Sequence, residues 1–588
     1  MSSPRFQQAL ADFNAQRYDK AEATLRAAMR SNPSDIESLA LLAGILLEKG
    51  QLDQSEFFFN RALALHPQSG LLRGNYGDLL AAKGQREAAL ATYEQAVELE
   101  PESGRLWACL ATAYQEAGRF TEAIEAGRRG CELDPSDPWH FSNWAAAYGA
   151  SGLSAETIDI YDRGLAMHPS APQLLQGRIA NANYQPAPDL QARAREQMAY
   201  AARLCAAVPP EQPVFKQSRD PERPLRIGFF SPDLRRHSVA YFVTSFLPHI
   251  NRARYSIYAY QYSITDEYSK KVANDCTKFR HVNRLTDIAL ARQIRDDQID
   301  VLIDLAGHTT ASRLPVMVRR CAPVQCSWIG YPATTGCRNI DYRIVDAITD
   351  PPEAEVDALC TEELIRLDRC FICFKPPEHA PEPVATLNRP LTFVSQNNLQ
   401  KITDHALGVW ARVLNAVPGS RLYVKNFGCK DPVVAARLRQ RVAAAGADPA
   451  RVEIDAYVDD PRRHFERFGN FDIALDTWPY NGTTTTCETL WMGVPVVTIK
   501  GNSHVSRVGE SLMRAVGLDE FVAKDEDDYV RIAATLAGDD PRRRELRAAL
   551  RPRLASSPLC DGAAMARSLE SALRTVWRRW CAANLIPG

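Results

Sequence analysis

Prolines recur at a fixed interval in the N-terminal third of the chain. They stand 34 residues apart, at Pro33, Pro67, Pro101, Pro135 and Pro169. A small residue precedes each proline by five positions, at Ala28, Ala62, Ala96, Gly130 and Gly164. A glycine lies 17 residues before the last four prolines, at Gly50, Gly84, Gly118 and Gly152. A period held over five copies predicts a stacked repeat rather than a single globular core.

Each repeat carries the signals of two helices joined by a short turn. The glycine can adopt the positive φ angle needed just beyond a helix, and the proline cannot continue the helix that it follows. The pattern resembles the tetratricopeptide repeat, whose copies stack into an α-solenoid with a concave face. Such a face suits a protein or peptide ligand. A spacer and a dimerisation arm are the alternatives, so a homodimer stays open.

From residue 225 the pattern changes to apolar strands that alternate with helices. The expected strands form two groups, at 225–230, 255–260, 301–305 and 324–328, and at 391–394, 421–424, 451–454, 471–475 and 496–499. This alternation predicts parallel, doubly wound sheets, and two such units in tandem place a cleft at the carboxyl ends of their strands. The predicted fold class is α plus α/β, with an N-terminal α-solenoid followed by two doubly wound α/β domains.

The expected domain boundaries follow these changes of pattern. Residues 211–224 are rich in Pro, Arg and Glu, which is typical of a hinge. The expected parts are a repeat solenoid at 1–175, a helical linker at 176–224, an N-terminal lobe at 225–385, a C-terminal lobe at 386–540 and C-terminal helices at 541–588.

A strand-to-helix junction in the C-terminal lobe carries a run of hydroxyl side chains. It lies between the expected strand 471–475 and an expected helix at 488–493, and its threonines are Thr483, Thr484, Thr485 and Thr486. A helix start offers unpaired N–H groups and the positive end of a dipole, which suits a phosphate. Four threonines exceed what a helix cap needs. With Glu488 able to accept hydrogen bonds from a ribose, the run favours a nucleotide-diphosphate site.

Composition narrows the class of protein. Lys and Arg total 70 against 71 Asp and Glu, and the net charge of −1 argues against a nucleic-acid protein. No apolar run approaches the roughly 18 residues of a membrane helix, and residues 1–6 lack the apolar segment of a signal peptide. The 14 cysteines are scattered without zinc spacing, so no metal or cofactor is expected. Free thiols fit a cytoplasmic location.

Several stretches of the chain carry a specific resemblance to one family. They are residues 228–233, 237–242, 305–309, 328–332, 397–402 and 476–488. Together with the repeats they resemble the protein O-GlcNAc transferase and SPINDLY family over essentially the full length, with more likeness to SPINDLY. The resemblance implies a GT-B glycosyltransferase, inverting and independent of metal. It would transfer a sugar from a nucleotide-sugar donor to Ser or Thr hydroxyls of acceptor proteins held in the repeat groove.

The resemblance also implies roles for residues of the C-terminal lobe. Lys401 would neutralise the departing diphosphate, and the threonines 483–486 would bind the phosphates. Glu488 would bind the ribose. Asn398 matches a position near the base and phosphates, and His464 matches one that lies against the nucleobase.

The candidate catalytic groups other than Lys401 lie in the N-terminal lobe. His237 and His308 each follow an expected strand and would face one cleft. The group that takes the proton of the acceptor hydroxyl stays open. It could be either histidine, Asp233 or Asp304, or a water relayed to phosphate.

The donor and the broader function leave alternatives. O-GlcNAc transferase has His at the position of Thr483 whereas SPINDLY has Thr, so the resemblance favours GDP-fucose over UDP-GlcNAc. A non-catalytic repeat scaffold with a nucleotide-sensing α/β part is a second hypothesis, which predicts nucleotide binding without turnover. A third is an enzyme that modifies a carbohydrate or a surface protein such as flagellin, which acceptor profiling would distinguish.

Overall fold

The computed structural model describes residues 3–15, 17–209, 211–385, 389–456 and 460–583. The chain forms two compact units, one of residues 1–151 with 430–434, the other of residues 152–429 with 435–588. Within the described ranges, every helix is too short or too polar to cross a membrane. The five-part division expected from the sequence remains a prediction.

The first unit is built from helix pairs. Its helices are Pro4–Asn14, Tyr18–Ser31, Ile36–Glu48, Leu52–Leu65, Gly70–Ala82, Arg86–Leu99, Gly104–Ala117, Phe120–Leu133 and Pro138–Ala150. Gly50, Gly84 and Gly118 separate paired helices at φ angles of 69°, 76° and 78°, a conformation that favours glycine. Leu42 and Phe59 lie in a core shared by successive helices. The predicted helical repeats are confirmed.

A parallel sheet forms the N-terminal lobe of the second unit. In the described residues its strands are β1 Leu225–Ser231, β2 Tyr255–Gln261, β3 Lys278–His281, β4 Val301–Asp304, β5 Val324–Ser327, β6 Tyr342–Asp346 and β7 Glu363–Leu367. Their spatial order is β3-β2-β1-β4-β5-β6-β7. The connecting helices are Ser238–Phe246, Glu267–Asn274, Asp287–Asp296, Leu314–Val318 and Ala354–Asp357. The strand order reverses between β1 and β4, which pair in parallel with Phe230 beside Asp304.

A second parallel sheet forms the C-terminal lobe. Over the described ranges its strands are β8 Thr392–Ser395, β9 Arg421–Lys425, β10 Val452–Asp455, β11 Ile473–Leu475, β12 Val496–Ile499 and β13 Val522–Ala523. Their order is β10-β9-β8-β11-β12-β13, so the reversal lies between β8 and β11. The helices of this lobe are Asp404–Ala416, Pro432–Ala444, Pro461–Glu466, Thr484–Trp491, His504–Ala515, Glu526–Gly538 and Asp540–Ala555. The predicted pair of doubly wound α/β domains is confirmed.

The last helix of the chain, Gly562–Ala583, returns to the N-terminal lobe. Its Met565, Leu569 and Trp577 are buried in the same core as Phe229 and Trp328. The chain therefore completes its first sheet domain only with residues that follow the second.

Three helices precede the first sheet in the second unit: Ser154–Met167, Pro172–Asn181 and Leu190–Ala206. The turn after the second of them touches both lobes. Asn183 Nδ2 donates to the Tyr331 hydroxyl at 3.2 Å in the N-terminal lobe. The ring of Tyr184 stacks on that of Tyr480 in the C-terminal lobe, with centroids 5.0 Å apart. This turn holds the two lobes on either side of one cleft.

Candidate functional site

The threonine run forms the first turn of a helix. The helix begins at Thr484, four residues before the predicted start, so three of the four threonines lie inside it. Thr483 is the N-cap residue, but its side chain accepts no hydrogen bond from the first turn. The first N–H groups of a helix have no partner within the helix. This turn therefore presents backbone donors and hydroxyls together, as an anion requires.

Gly482 brings the loop close to this helix start. A Cβ atom at this position would lie 2.7 Å from the Oγ1 atoms of both Thr485 and Thr486. It would also lie 3.0 Å from Oδ1 of Asn397, which accepts a hydrogen bond from the Thr485 hydroxyl at 3.1 Å. Only glycine fits here without displacing the threonines.

Lys401 lies at the end of the 3₁₀ turn Leu399–Lys401, which follows β8. Its Nζ donates to the Asn481 carbonyl oxygen at 2.8 Å and lies 4.0 Å from the centre of the Tyr480 ring. Burial lowers the pKa of Lys401 to about 8, against the attraction of Asp476. The ammonium is thus enclosed beside the threonine loop and remains mostly charged at neutral pH.

Asp476 organises the loop that carries the threonines. Its Oδ1 accepts from the N–H of Gly482 at 2.7 Å and from that of Thr477 at 2.9 Å, and its Oδ2 accepts from the Thr498 hydroxyl at 2.8 Å. Burial raises the pKa of Asp476 to about 6, although these hydrogen bonds and Lys401 favour the ionised form. The sequence did not single out this carboxylate, whose role follows from contacts within the loop.

His464 and Glu488 come together beside a second buried lysine. Lys425, the last residue of β9, lies 2.5 Å from Nδ1 of His464, and Nε2 of His464 lies 3.6 Å from Oε2 of Glu488. Burial lowers the pKa of Lys425 to about 8, against the attraction of Glu488. The ring of His464 also packs against Phe465 and Phe468. Lys425 was not identified from the sequence, because an isolated lysine at the end of a strand carries no motif.

The two adjacent asparagines after β8 differ in orientation. Asn398 is exposed, and its side chain accepts from the N–H of Gln400 at 3.1 Å, capping the 3₁₀ turn. Asn397 is buried and meets Thr485. The structure therefore brings Asn397 to the threonine turn, whereas the sequence singled out Asn398.

In the N-terminal lobe His237 is the N-cap residue of helix Ser238–Phe246, beyond the end of β1. Its Nδ1 accepts from the N–H of Val239 at 3.3 Å and lies 3.8 Å from Oδ2 of Asp233. The side chain is 42% exposed. Its pKa is lowered by partial burial, although Asp233 acts in the opposite direction. The His237 ring is therefore accessible and neutral at neutral pH, and it can accept a proton only at Nδ1, by giving up the long hydrogen bond from Val239.

His308 follows β4 and is almost completely buried, with 1% exposure. Its Nε2 donates to the Thr335 carbonyl oxygen at 2.7 Å, which leaves the lone pair on Nδ1. Nδ1 is buried and has no hydrogen-bond partner among the described residues. Burial lowers the pKa of His308 to about 4, so the ring is neutral.

Asp304, the last residue of β4, is also buried. It accepts from the N–H of Gly307 at 2.6 Å and from that of Ala306 at 3.3 Å. Burial raises the pKa of Asp304 to about 7, so a proton can reside on this carboxyl near neutral pH. The segments after β1 and β4 thus combine neutral imidazoles with carboxyl groups, whereas those after β8 and β11 combine an ammonium with hydroxyls.

Comparison with known proteins agrees with this arrangement. The profile of glycosyl transferase family 41 matches residues 204–374 and 386–569, and tetratricopeptide-repeat profiles match 12–79 and 77–138. A solved structure of a Thermobaculum terrenum O-GlcNAc transferase mutant superposes with a TM-score of 0.82 at 31% identity. The match covers 88% of this chain and 98% of that one.

Curated relatives match over about three fifths of the chain. A Solanum lycopersicum protein, named as a probable UDP-N-acetylglucosamine–peptide N-acetylglucosaminyltransferase SPINDLY, is 43% identical over 384 residues, 63% of this chain and 41% of that protein. The Arabidopsis thaliana protein SEC, named as a probable transferase of the same activity, is 28% identical over 371 residues, 61% and 37% of the two chains. The chain spans about two fifths of the length of the curated relatives it matches.

Proposed function

Because the chain belongs to glycosyl transferase family 41, we propose that it is a protein O-glycosyltransferase. It would move a sugar from a nucleotide-sugar donor to Ser or Thr hydroxyls of acceptor proteins. The observation that carries the proposal is the enclosed ammonium of Lys401 beside the threonine-lined helix start. A fixed cation and unpaired N–H groups in one place are what a diphosphate leaving group requires.

The proposed reaction is a direct displacement. The acceptor oxygen attacks the anomeric carbon of the sugar from the face opposite the phosphate, and the bond between that carbon and the phosphate oxygen breaks. Configuration is thereby inverted. Negative charge develops on the departing diphosphate, and Lys401 with the first turn of helix Thr484–Trp491 would stabilise that charge. Such preorganised donors stabilise a transition state strongly because they need not reorient during the reaction.

The nucleoside of the donor would lie beside Lys425, His464 and Glu488. The Glu488 carboxylate can accept hydrogen bonds from ribose hydroxyls, and the His464 ring offers a flat surface to a base. Lys425 donates to Nδ1 of His464, so Nε2 carries a hydrogen and faces Glu488. The proposed site therefore extends along the carboxyl ends of β8, β9 and β11.

For the proton of the acceptor hydroxyl we favour His237 over His308. His237 is accessible and neutral at neutral pH, as a general base must be. His308 is buried, its Nε2 is committed to the Thr335 carbonyl, and its low pKa makes it a weak base. We propose that His308 holds the loop after β5 in position. Asp233, Asp304 and a water relayed to phosphate are the alternatives.

For the donor we favour GDP-fucose. The resemblance implies Thr at position 483 for SPINDLY and His for O-GlcNAc transferase, and this chain has Thr483. UDP-GlcNAc is the alternative, and it is favoured by the names of the curated relatives. The acceptor protein would bind through the helical repeats. We also propose a cytoplasmic location, because all cysteines of the described residues are free thiols.

The proposal is tested by titrating the purified full chain with GDP, UDP, GDP-fucose and UDP-GlcNAc, followed by a transfer assay on acceptor proteins. A ligand that binds only the native state at 100 times its Kd raises apparent stability by about 2.7 kcal/mol. Stabilisation by guanine nucleotides with fucose transfer is the expected result. Stabilisation by uridine nucleotides with GlcNAc transfer would change the donor alone. Binding without transfer to any acceptor would overturn the enzymatic proposal in favour of a scaffold.

A further inference from the structure

Two cysteines that are far apart in the sequence meet at the junction between the linker helix and the N-terminal lobe. Cys205 lies near the end of helix Leu190–Ala206, and Cys337 lies in the loop between β5 and β6. Their Sγ atoms are 3.3 Å apart, although 132 positions separate them along the chain. A disulfide has an S–S length of about 2.05 Å, so a movement of about 1.3 Å would join them.

The backbone around both thiols favours this approach. Gly336 has a φ angle of 66°, and a Cβ atom there would lie 2.5 Å from Cβ of Ala201 on the helix. The loop is anchored on its other side by Glu362, whose carboxylate accepts from the N–H of Thr335 at 2.7 Å. The two sulfur atoms are therefore brought together by packing on both sides of the contact.

The two thiols differ in accessibility and acidity. Cys205 is half-buried, whereas Cys337 is fully buried. The hydrogen bond between them lowers the pKa of Cys205. The same hydrogen bond and burial raise the pKa of Cys337. Cys205 is the more exposed residue of the two and forms a thiolate more readily, as an attacking thiol should.

We propose that Cys205 and Cys337 form a reversible disulfide site that responds to hydroperoxides. The Cys205 thiolate attacks a peroxide oxygen, the O–O bond breaks, and a sulfenic acid forms as hydroxide leaves and takes up a proton. Cys337 sulfur then attacks the Cys205 sulfur, the S–O bond breaks, and water leaves. In total two thiols and one hydrogen peroxide give one disulfide and two waters. The inference does not depend on the proposed transfer activity.

The disulfide would join two walls of a cavity in the second unit. The cavity of about 440 Å³ is lined by Ala194 and Gln197 from the helix of Cys205 and by Thr334 from the loop of Cys337. The same loop supplies the Thr335 carbonyl that holds His308. Oxidation would therefore fix the helix against the loop that orients a buried histidine of the cleft.

The experiment is peptide mapping of the full-length native protein before and after treatment with hydrogen peroxide, with thiols alkylated before digestion. We expect one linked pair that contains Cys205 and Cys337, and its disappearance after dithiothreitol. Cys205→Ser should abolish the link. Cys276→Ser is the matched control, since Cys276 is a half-buried thiol of the same lobe whose pKa is raised by burial to about 12. The Cys276→Ser protein should form the Cys205–Cys337 disulfide to the same extent as the unsubstituted protein.

The rate provides a second readout that does not require a variant of the buried Cys337. The link should form about tenfold faster than Cys276 is oxidised, because a low-pKa thiol reacts first. Unchanged alkylation of Cys205 and Cys337 after peroxide would overturn the proposal. So would oxidation of Cys205 to sulfinic or sulfonic acid without a link to Cys337.

Discussion

The two α/β lobes carry different chemistry at equivalent points of similar sheets. Each sheet reverses its strand order once, between β1 and β4 in the first and between β8 and β11 in the second. His237 and His308 follow the strands at the first reversal. Lys401 and the threonine turn follow those at the second. The point where the strand order reverses determines where a ligand can bind. The side chains that follow the strands there determine which ligand binds.

Burial has opposite consequences for charge in the two lobes. It lowers the pKa of His308 to about 4, so this ring is uncharged at pH 7. It lowers the pKa of Lys401 only to about 8, so the ammonium remains mostly charged. The same physical effect thus leaves a neutral group on one side of the cleft and a cation on the other. The following predictions test this division.

Replacing the cation should have the largest effect. Lys401→Ala should lower the transfer rate by about 10²–10³-fold, because the departing diphosphate would lose a preorganised positive charge. The measurement is kcat from nucleotide release, together with the Kd for the nucleoside diphosphate. Lys500→Ala is the control, since Lys500 is an exposed lysine of the same lobe whose Nζ lies 3.7 Å from Oε1 of Glu510. If the Lys401→Ala protein transfers sugar at a rate within about threefold of the unsubstituted protein, the Lys401 ammonium does not stabilise the departing diphosphate.

The two histidines should separate into a reacting group and a structural one. His237→Ala should lower the transfer rate by about 10²-fold, as for a lost general base, and cost at most about 1 kcal/mol through the lost helix cap. His308→Ala should instead lower the free energy of unfolding by about 2–3 kcal/mol, because it leaves a cavity and an unpaired Thr335 carbonyl. Transfer kinetics and urea unfolding measure the two effects. A His308→Ala protein of normal stability without transfer would reverse the assignment.

The C-terminal lobe should lose the positive charges of Lys401 and Lys425 as the pH rises. Lys401 has a lowered pKa of about 8, so its charged form exists below that pH and is lost as the pH rises through it. Lys425 has a similar pKa and adds to the loss. Affinity for the nucleoside diphosphate should therefore fall by about tenfold between pH 7.5 and 9.5. Calorimetric titration across this range measures it, with Lys500→Ala expected to follow the same curve. An affinity that is flat or rises would contradict the assignment.

A single hydroxyl should have the smallest effect. Thr485→Val keeps the shape of the side chain but removes the hydrogen bond to Asn397 and one donor of the threonine turn. A lost hydrogen bond of this kind costs about 0.5–1.5 kcal/mol, so nucleotide affinity should fall by about threefold to tenfold. Thr575→Val on an exposed helix surface is the control. Equal affinity of both variants would indicate that backbone N–H groups alone bind the phosphates.

Local pattern predicted nine of the 13 strands in the described residues and missed β3, β6, β7 and β13, which lie at or next to an edge of their sheets. Strand β12 was predicted with its observed bounds because Val496–Ile499 is a continuous apolar run between breaks. Strand β3 was missed because Lys278–His281 is half exposed and carries Lys, Arg and His, as an edge strand can. Strand β13, also at an edge, has two residues and no detectable period.

The sequence indicated some residues of the candidate site but misplaced or missed others. The threonines, Lys401, His464 and Glu488 were identified from a motif and a resemblance, and the structure brings them to adjoining strand ends. The helix start was placed four residues late, because threonine is a poor helix former and the run resembles a loop. The choice between Asn397 and Asn398 depends on one residue of register in a turn, which no pattern resolves.

The sequence by itself determined what repeats or alternates along the chain: the helix pairs, the two parallel sheets and the hydroxyl-rich junction. Only the tertiary structure decided which distant residues meet. It placed Lys425 against His464, Cys205 against Cys337, and Trp577 of the last helix in the core of the first lobe. The physical reason is that a local pattern reflects the geometry of one element. A contact between residues of separate elements reflects how whole elements pack, and no short segment encodes it.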